Sequence, residues 1–349
     1  MVSIKLHSFI YMLTTFCFGA IMFSCSDNDG ELQKGTEENK TIAILETDIG
    51  SSADDLIAME KLYAADDMGI IDFKAIMVNR EGMQNLKMVD IMNTYYKHTD
   101  ILIGTVRDGV KNPNIFIDYW KMALPENYTD EPIFNRTLTD GQLNALPVAE
   151  DLYRKLLSEA PDTSVVIFSV GFATNLSKLL QTKADNYSAL NGTELVKKKV
   201  KALYIQAGHF GNAMEPDYNF NQDPKNAYIL MDKWPTEIWF SPQETGDKFD
   251  YTPEMVLADL DEAGLTDSPI YHAYKHHDCN TGQRMWDVCA VMQFLHPECF
   301  SVKGPMHYSI DENMILHEKQ GTSHYMTYTE KEEQNELIMK HIRKCYVPK

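Results

Sequence analysis

Three aspartates sit close behind one short apolar run, in Glu46-Thr47-Asp48-Ile49-Gly50-Ser51-Ser52-Ala53-Asp54-Asp55. The run itself, Thr41–Leu45, is continuous and apolar, the mark of a strand buried on both faces. Downstream, Asp54–Ala65 places Leu56, Met59 and Tyr63 at helical spacing. Adjacent aspartates at a helix start can cap its free N–H groups and complement its dipole. Asp48 asks for more than capping. A third carboxylate in the same strand-to-helix loop repels the others unless protons or a cation neutralise the pocket. Oxygen donors without His or Cys favour Ca²⁺ over Zn²⁺.

The elements that must position these residues alternate along the chain. Strands are expected at Phe73–Val78, Ile101–Ile103, Val165–Val170, Val200–Gln206 and Thr236–Phe240. Helices are expected at Met83–His98 and at Val148–Ala160, where Val148, Leu152, Leu156 and Leu157 share a face. This alternation argues for an α/β fold: a mostly parallel, Rossmann-like central sheet with helices on both faces. Ligands of such sheets bind at the carboxyl ends of the strands, where Asp48 stands. Residues 108–146 read as a long irregular insertion carrying Phe116, Tyr119 and Trp120, and long loops in compact domains are often functional. One domain is expected over residues 41–349. The tail after residue 300 carries no readable motif.

The chain has 349 residues, 44% hydrophobic and 24% charged, which excludes a disordered chain and a polytopic membrane protein. A net charge of −19 repels phosphate backbones, so nucleic acid is not an expected partner. Lys5 followed by the apolar run Phe9 to Phe23 fits a secretory signal over residues 1–24. The segment Met22-Phe23-Ser24-Cys25 resembles a bacterial lipobox. Cys25 would then carry a lipid and residues 25–40 would form a polar tether. The expected location is outside the cytoplasm, anchored to the envelope through that lipid alone. An ordinary cleaved signal with an incidental cysteine is the alternative. Beyond Cys17 in the signal and Cys25, the four remaining cysteines, Cys279, Cys289, Cys299 and Cys345, show no CxxC spacing, so no zinc cluster is expected of them. Their pairing is left open.

The strand-to-helix segment resembles the signature of the inosine–uridine-preferring nucleoside hydrolases, a strand followed by DTDPGxDDA. Here it reads ETDIGSSADDLIA, with Glu46 for the first Asp and two extra residues before the Asp pair. Further landmarks follow in chain order. Asn79 ends the second strand. Val170-Gly171-Phe172-Ala173-Thr174-Asn175-Leu176 stands for a strand end followed by GPLTNLA. Asn212, Asp217 and Asn219 stand for GN and EFN, and Met285-Trp286-Asp287-Val288-Cys289-Ala290-Val291 stands for HDPLAVA.

The resemblance implies hydrolysis of a ribonucleoside to ribose and free base. It implies a Ca²⁺ held by Asp48, Asp55, Asp287 and the Val170 carbonyl, with Asp48 as general base. It implies ribose contacts from Asp54, Asn79, Asn212, Asp217 and Asn219, and a carboxylate with amides suits hydroxyls that both donate and accept. Trp286 stands where many members carry a histidine that protonates the departing base, so it is a candidate to stack on the base instead. His209, His276 and His277 are the other candidate proton donors. The family often forms homo-oligomers. Two other readings remain open: a non-catalytic riboside-binding surface lipoprotein, and a hydrolase of another N- or O-glycoside.

Overall fold

The computed structural model describes residues 40–50, 52–111, 119, 122, 134–210, 215–276 and 284–349. Eight strands in these residues form one sheet: β1 (Thr41–Thr47), β2 (Ile71–Arg80), β3 (Leu102–Val110), β4 (Val165–Ser169), β5 (Val200–Gln206), β6 (Glu237–Ser241), β7 (Ser301–Ile310) and β8 (Leu316–Tyr328). Their spatial order is β3-β2-β1-β4-β5-β6-β8-β7. All neighbours are parallel except the antiparallel β7–β8 pair. The fold is α/β, as the alternation of elements predicts.

Side chains of β1 alternate between two cores, as a pleated strand requires. Ala43 and Leu45 pack with the helices Asp54–Asp67 and Trp286–Leu295 on one face. Ile44 packs with the helices Ala149–Glu159 and Thr174–Gln181 on the other. From β1 the chain builds outward to β2 and β3, then returns to place β4 on the other side of β1. The winding therefore reverses between β1 and β4. The crevice at such a reversal is where open α/β sheets bind ligands.

One expectation changes, and the tail shows structure that no motif announces. β3 runs to Val110 rather than ending at Ile103. Its outer half contains Thr105, Arg107 and Asp108, which an edge strand tolerates and an apolar-run criterion misses. The tail beyond residue 300 is not featureless: it forms β7, β8 and the helix Glu332–Arg343. The β7–β8 hairpin caps the edge of β6, and its exposed, polar residues hide it from a hydropathy reading. No helix among the described residues is long and apolar enough to cross a membrane. The proposed signal and tether, with Cys25, lie outside the described residues.

Candidate active site at the carboxyl ends of the central strands

β1 ends at Thr47, whose hydroxyl donates to Asp55 Oδ1. The Ile49 N–H donates back to Thr47 Oγ1 at 3.0 Å, tightening the loop. Gly50 has φ +107°, a conformation that favours glycine, and its N–H donates to Tyr119 Oη at 2.6 Å. The helix that follows has Ala53 at its N-cap and no side-chain cap. The Asp54 carboxylate instead looks outward from this helix start to two other partners. Asp54 Oδ1 accepts from the Ser52 hydroxyl, and Asp54 Oδ2 accepts from the Asp287 N–H at 2.9 Å. Asp54 thus satisfies a free N–H at the start of the helix Trp286–Leu295 and fixes where that helix begins.

This bond brings three carboxylates together. Asp54, Asp55 and Asp287 each offer an oxygen, and these oxygens lie within 4.8 Å of one another, all in buried residues. Asp55 Oδ2 is buried without a hydrogen-bond partner among the described residues. Burial, then the charges of Asp48 and Asp54, push the Asp55 carboxyl well above the usual carboxylate range. Asp287 is pushed up likewise, by burial and then by Asp54, Asp55 and Asp48. Asp54 rises to about 6, mainly through burial. Among the described residues, Arg80 brings positive charge to this group. Arg80, only 3% exposed, donates from Nη2 to Asp48 Oδ2 at 3.1 Å. Its guanidinium also lies over the Phe172 ring, 5.5 Å from the centroid. Four carboxylates and one guanidinium leave an excess of negative charge. The unpartnered Asp55 oxygen and the all-oxygen donor set fit a hard divalent cation.

The β4 end abuts this loop. The Val170 N–H donates to Glu46 O at 2.9 Å. A Cβ on Gly171 would fall 2.5 Å from the Asp48 nitrogen and 2.8 Å from Asp48 Cβ. Close approach of two backbones, rather than a turn, requires glycine here.

The β2 end presents two neighbouring residues to opposite sides. Asn79 donates to Glu46 Oε2 at 3.1 Å, and Asn175 donates to the same oxygen at 3.0 Å. Burial pushes Glu46 up to about 8, against the hydrogen bonds of Asn79, Tyr153 and Asn175. Burial favours its neutral form, lodged under the loop. Asn79 thus commits its amide nitrogen to Glu46, while Arg80, one residue on, reaches Asp48.

Residues 43–344 match the family model for inosine-uridine preferring nucleoside hydrolase. The chain belongs to this family. A non-specific ribonucleoside hydrolase, RihC of Shigella boydii, is 24% identical over 155 residues, 43% of this chain and 47% of that protein. The match thus spans about half the length of that relative. Among solved structures, an inosine-uridine preferring nucleoside hydrolase from Bacillus anthracis superposes with a TM-score of 0.61 at 13% identity, over 87% of this chain and 99% of that one. The type III effector XopQ, solved with adenosine diphosphate ribose, gives 0.63 at 12% identity, over 88% and 94%. A purine-preferring ribonucleoside hydrolase from Gardnerella vaginalis gives 0.60 at 14% identity, over 86% and 98%. These likenesses show the shared fold.

The other candidate residues of this family member fall as follows. Asp217 caps the short helix Tyr218–Gln222, accepting from the Phe220 N–H at 2.8 Å, and its second oxygen accepts from the Gly208 N–H at 2.6 Å. Its carboxyl is pushed up to about 6, chiefly by burial. Asn219 donates to Gln206 Oε1 at 2.8 Å, at the end of β5. Trp286 donates from Nε1 to Asp247 Oδ1 at 2.8 Å, and its indole packs on Gly246, where a Cβ would lie 2.4 Å from Trp286 Cδ1. His209 lies with Nδ1 3.9 Å from Glu244 Oε1, and His276 packs against His272 with centroids 5.3 Å apart. Asn212, His277, Cys279, Phe116 and Trp120 lie outside the described residues. Cys289, Cys299 and Cys345 are unpaired thiols.

Sequence reading missed Arg80 and the tie from Asp54 to Asp287. A charged residue closing a buried strand was the available signal for Arg80. Pleat parity explains the rest: Ala75 and Met77 face one core and Ile76 and Val78 the other, so Asn79 and Arg80 must diverge.

Proposed function

We propose that the protein hydrolyses the N-glycosidic bond of a ribonucleoside, releasing ribose and the free base, with Ca²⁺ as its metal. The observation that carries this reading is the convergence of Asp54, Asp55 and Asp287 within 4.8 Å at the sheet's winding reversal. Asp48, Asp55, Asp287 and the Val170 carbonyl would hold the ion. When bound, Ca²⁺ supplies the positive charge that acidifies and orients a water. Asp48 would act as general base toward an attacking water. Arg80 fixes the orientation of the Asp48 carboxylate through Oδ2. Asp54 accepts a ribose hydroxyl with lone pairs left over from Ser52 and Asp287. Asn79, Asn212, Asp217 and Asn219 would supply the remaining ribose contacts. Positive charge builds on the sugar as the bond breaks, and the acidic wall stabilises it. Trp286 has no acid to give, so it serves the base by stacking. Protonation of the leaving group falls to His209, His276 or His277.

The N-terminal features support a further part of the proposal. Residues 1–24 act as an export signal, Cys25 carries a lipid, and residues 25–40 tether the enzyme to the cell envelope. Fractionation and mass spectrometry of the mature N-terminus test this; a chain starting elsewhere than Cys25 would sink it.

Incubation with inosine, uridine, adenosine and cytidine, with and without EDTA, tests the activity. Metal-dependent release of base is expected. The Arg80–Asp48 pair favours one second reading, in which the base is held by its counter-ion and the protein captures ribosides without cleaving them. Calorimetric binding of a nucleoside that stays intact over hours would favour that reading.

A further inference from the structure

The helix Trp286–Leu295, which carries Asp287 in its first turn, runs directly into His296 and the short 3₁₀ turn Pro297–Cys299. Against this turn packs the C-terminal helix Glu332–Arg343. Three side chains meet there, about 15 Å along the helix from its acidic start. His296, Glu298 and His341 each offer one ligand-type atom, and these atoms lie within 4.8 Å of one another. His296 Nδ1 stands 3.2 Å from Glu298 Oε1. The imidazoles of His296 and His341 lie face to face with centroids 3.6 Å apart.

We propose that His296, Glu298 and His341 form a second metal site, for a borderline divalent cation such as Zn²⁺, separate from the acidic site at the strand ends.

The donor set is two imidazole nitrogens and one carboxylate oxygen, with a fourth position for water, a combination typical of zinc and foreign to Ca²⁺. The spacing suits it. A tetrahedron with bonds of about 2.0 Å has edges of about 3.3 Å, close to the observed separation of the His296 and Glu298 atoms. Binding asks the His341 ring to turn out of the stack until its lone pair meets the other two donors. Glu298 is 56% exposed in its side chain, which gives an ion access from solvent. Cys299 Sγ lies 3.9 Å from Glu298 Oε1, a soft donor beside the set. Lys340 and Lys344 repel a cation from the same neighbourhood, a term that salt screens.

An ion here would pin the C-terminal helix to the turn behind the Asp287 helix. The chain just beyond that helix already reaches the helix Asp54–Asp67: Lys61 Nζ donates to Lys344 O at 2.9 Å, and the Tyr346 N–H donates to Glu60 Oε1 at 2.9 Å. The second metal would therefore brace the frame of the acidic site without entering it.

Calorimetric titration of the metal-stripped full-length protein with zinc chloride, in excess Ca²⁺, tests the proposal. One Zn²⁺ equivalent is expected to bind, and to persist in Asp287→Asn. Co²⁺ in its place is expected to show the visible absorption of a four-coordinate ion. Glu298→Gln, at an exposed position that folding tolerates, is expected to weaken Zn²⁺ at least tenfold, and His341→Gln at least a hundredfold. No Zn²⁺ uptake in the presence of Ca²⁺, or Zn²⁺ affinity unchanged in Glu298→Gln, would overturn it. Loss of nucleoside hydrolysis plays no part in the readout, so failure of the proposed activity is distinguishable from failure of this site.

Discussion

The Asp54 carboxylate accepts the main-chain N–H of Asp287 at 2.9 Å, across 233 positions of sequence. This one bond joins the first loop of the sheet to the last helix that faces it. Asp54→Ala would leave the Asp287 N–H buried without a partner, at a cost of about 1–3 kcal/mol. It would also free Asp287 to drift from Asp55. Denaturant unfolding and Ca²⁺ calorimetry are expected to show both losses. Asp54→Asn keeps an acceptor and removes a charge, so it is expected to hold the metal-free fold while still weakening Ca²⁺.

Arg80 is the counter-charge of the pocket. Arg80→Met keeps the length of the side chain and removes its ion pair with Asp48. Breaking a buried pair in this way costs roughly 3–5 kcal/mol. A divalent ion would recover part of that loss. The Ca²⁺-induced rise in melting temperature is therefore expected to be larger in Arg80→Met than in the parent. An equal rise in both proteins would show that Arg80 and the metal do not share a task.

Gly171 lies where β4 meets the Asp48 backbone. Its missing Cβ would sit 2.5 Å from the Asp48 nitrogen, so Gly171→Ala must push the two loops apart. The expected result is a protein destabilised by about 1–3 kcal/mol, with weakened Ca²⁺ binding and turnover down by at least tenfold. Gly141→Ala is the control, since a Cβ there would meet nothing nearer than 3.9 Å.

Two buried groups predict pH dependences of opposite sign. Glu46 sits at about 8 when folded, against an ordinary value of 4.5. Its stabilising contribution is whole below pH 4.5 and is lost as pH rises through 8, at no more than about 1.4 kcal/mol per pH unit. Glu46→Gln mimics the neutral acid and is expected to flatten the stability curve between pH 5 and 8. His324 is lowered from 6.5 to about 4 by burial and by His307. Its Nδ1 accepts the Tyr308 N–H at 2.8 Å, and a proton on that atom would set two donors against each other. Its contribution is whole above pH 6.5 and is lost as pH falls through 4. His324→Asn, which keeps an acceptor, is expected to move acid unfolding to lower pH.

Much of the frame was legible without coordinates, because buried parallel strands are written as unbroken apolar runs. Thr41–Leu45 and Val200–Gln206 announce themselves in this way. β7 and β8 do not, since Lys303, Glu318 and Lys319 face water on an edge that a hairpin covers. The strand-end position of Asp48, Asp54 and Asp55 also follows from local order, as do the landmarks that place the chain in its family.

Local order could not say which side chains meet. Whether Asp54 reaches the helix of Asp287 depends on how two distant segments pack against one sheet. Whether Asn79 or Arg80 reaches Asp48 depends on the phase of a pleat, which reverses with every residue. His296, Glu298 and His341 come together because a turn and a C-terminal helix happen to pack. Chemistry types and strand order belong to the sequence; distances between charges a few ångströms apart belong to the tertiary fold, because burial and packing alone set them.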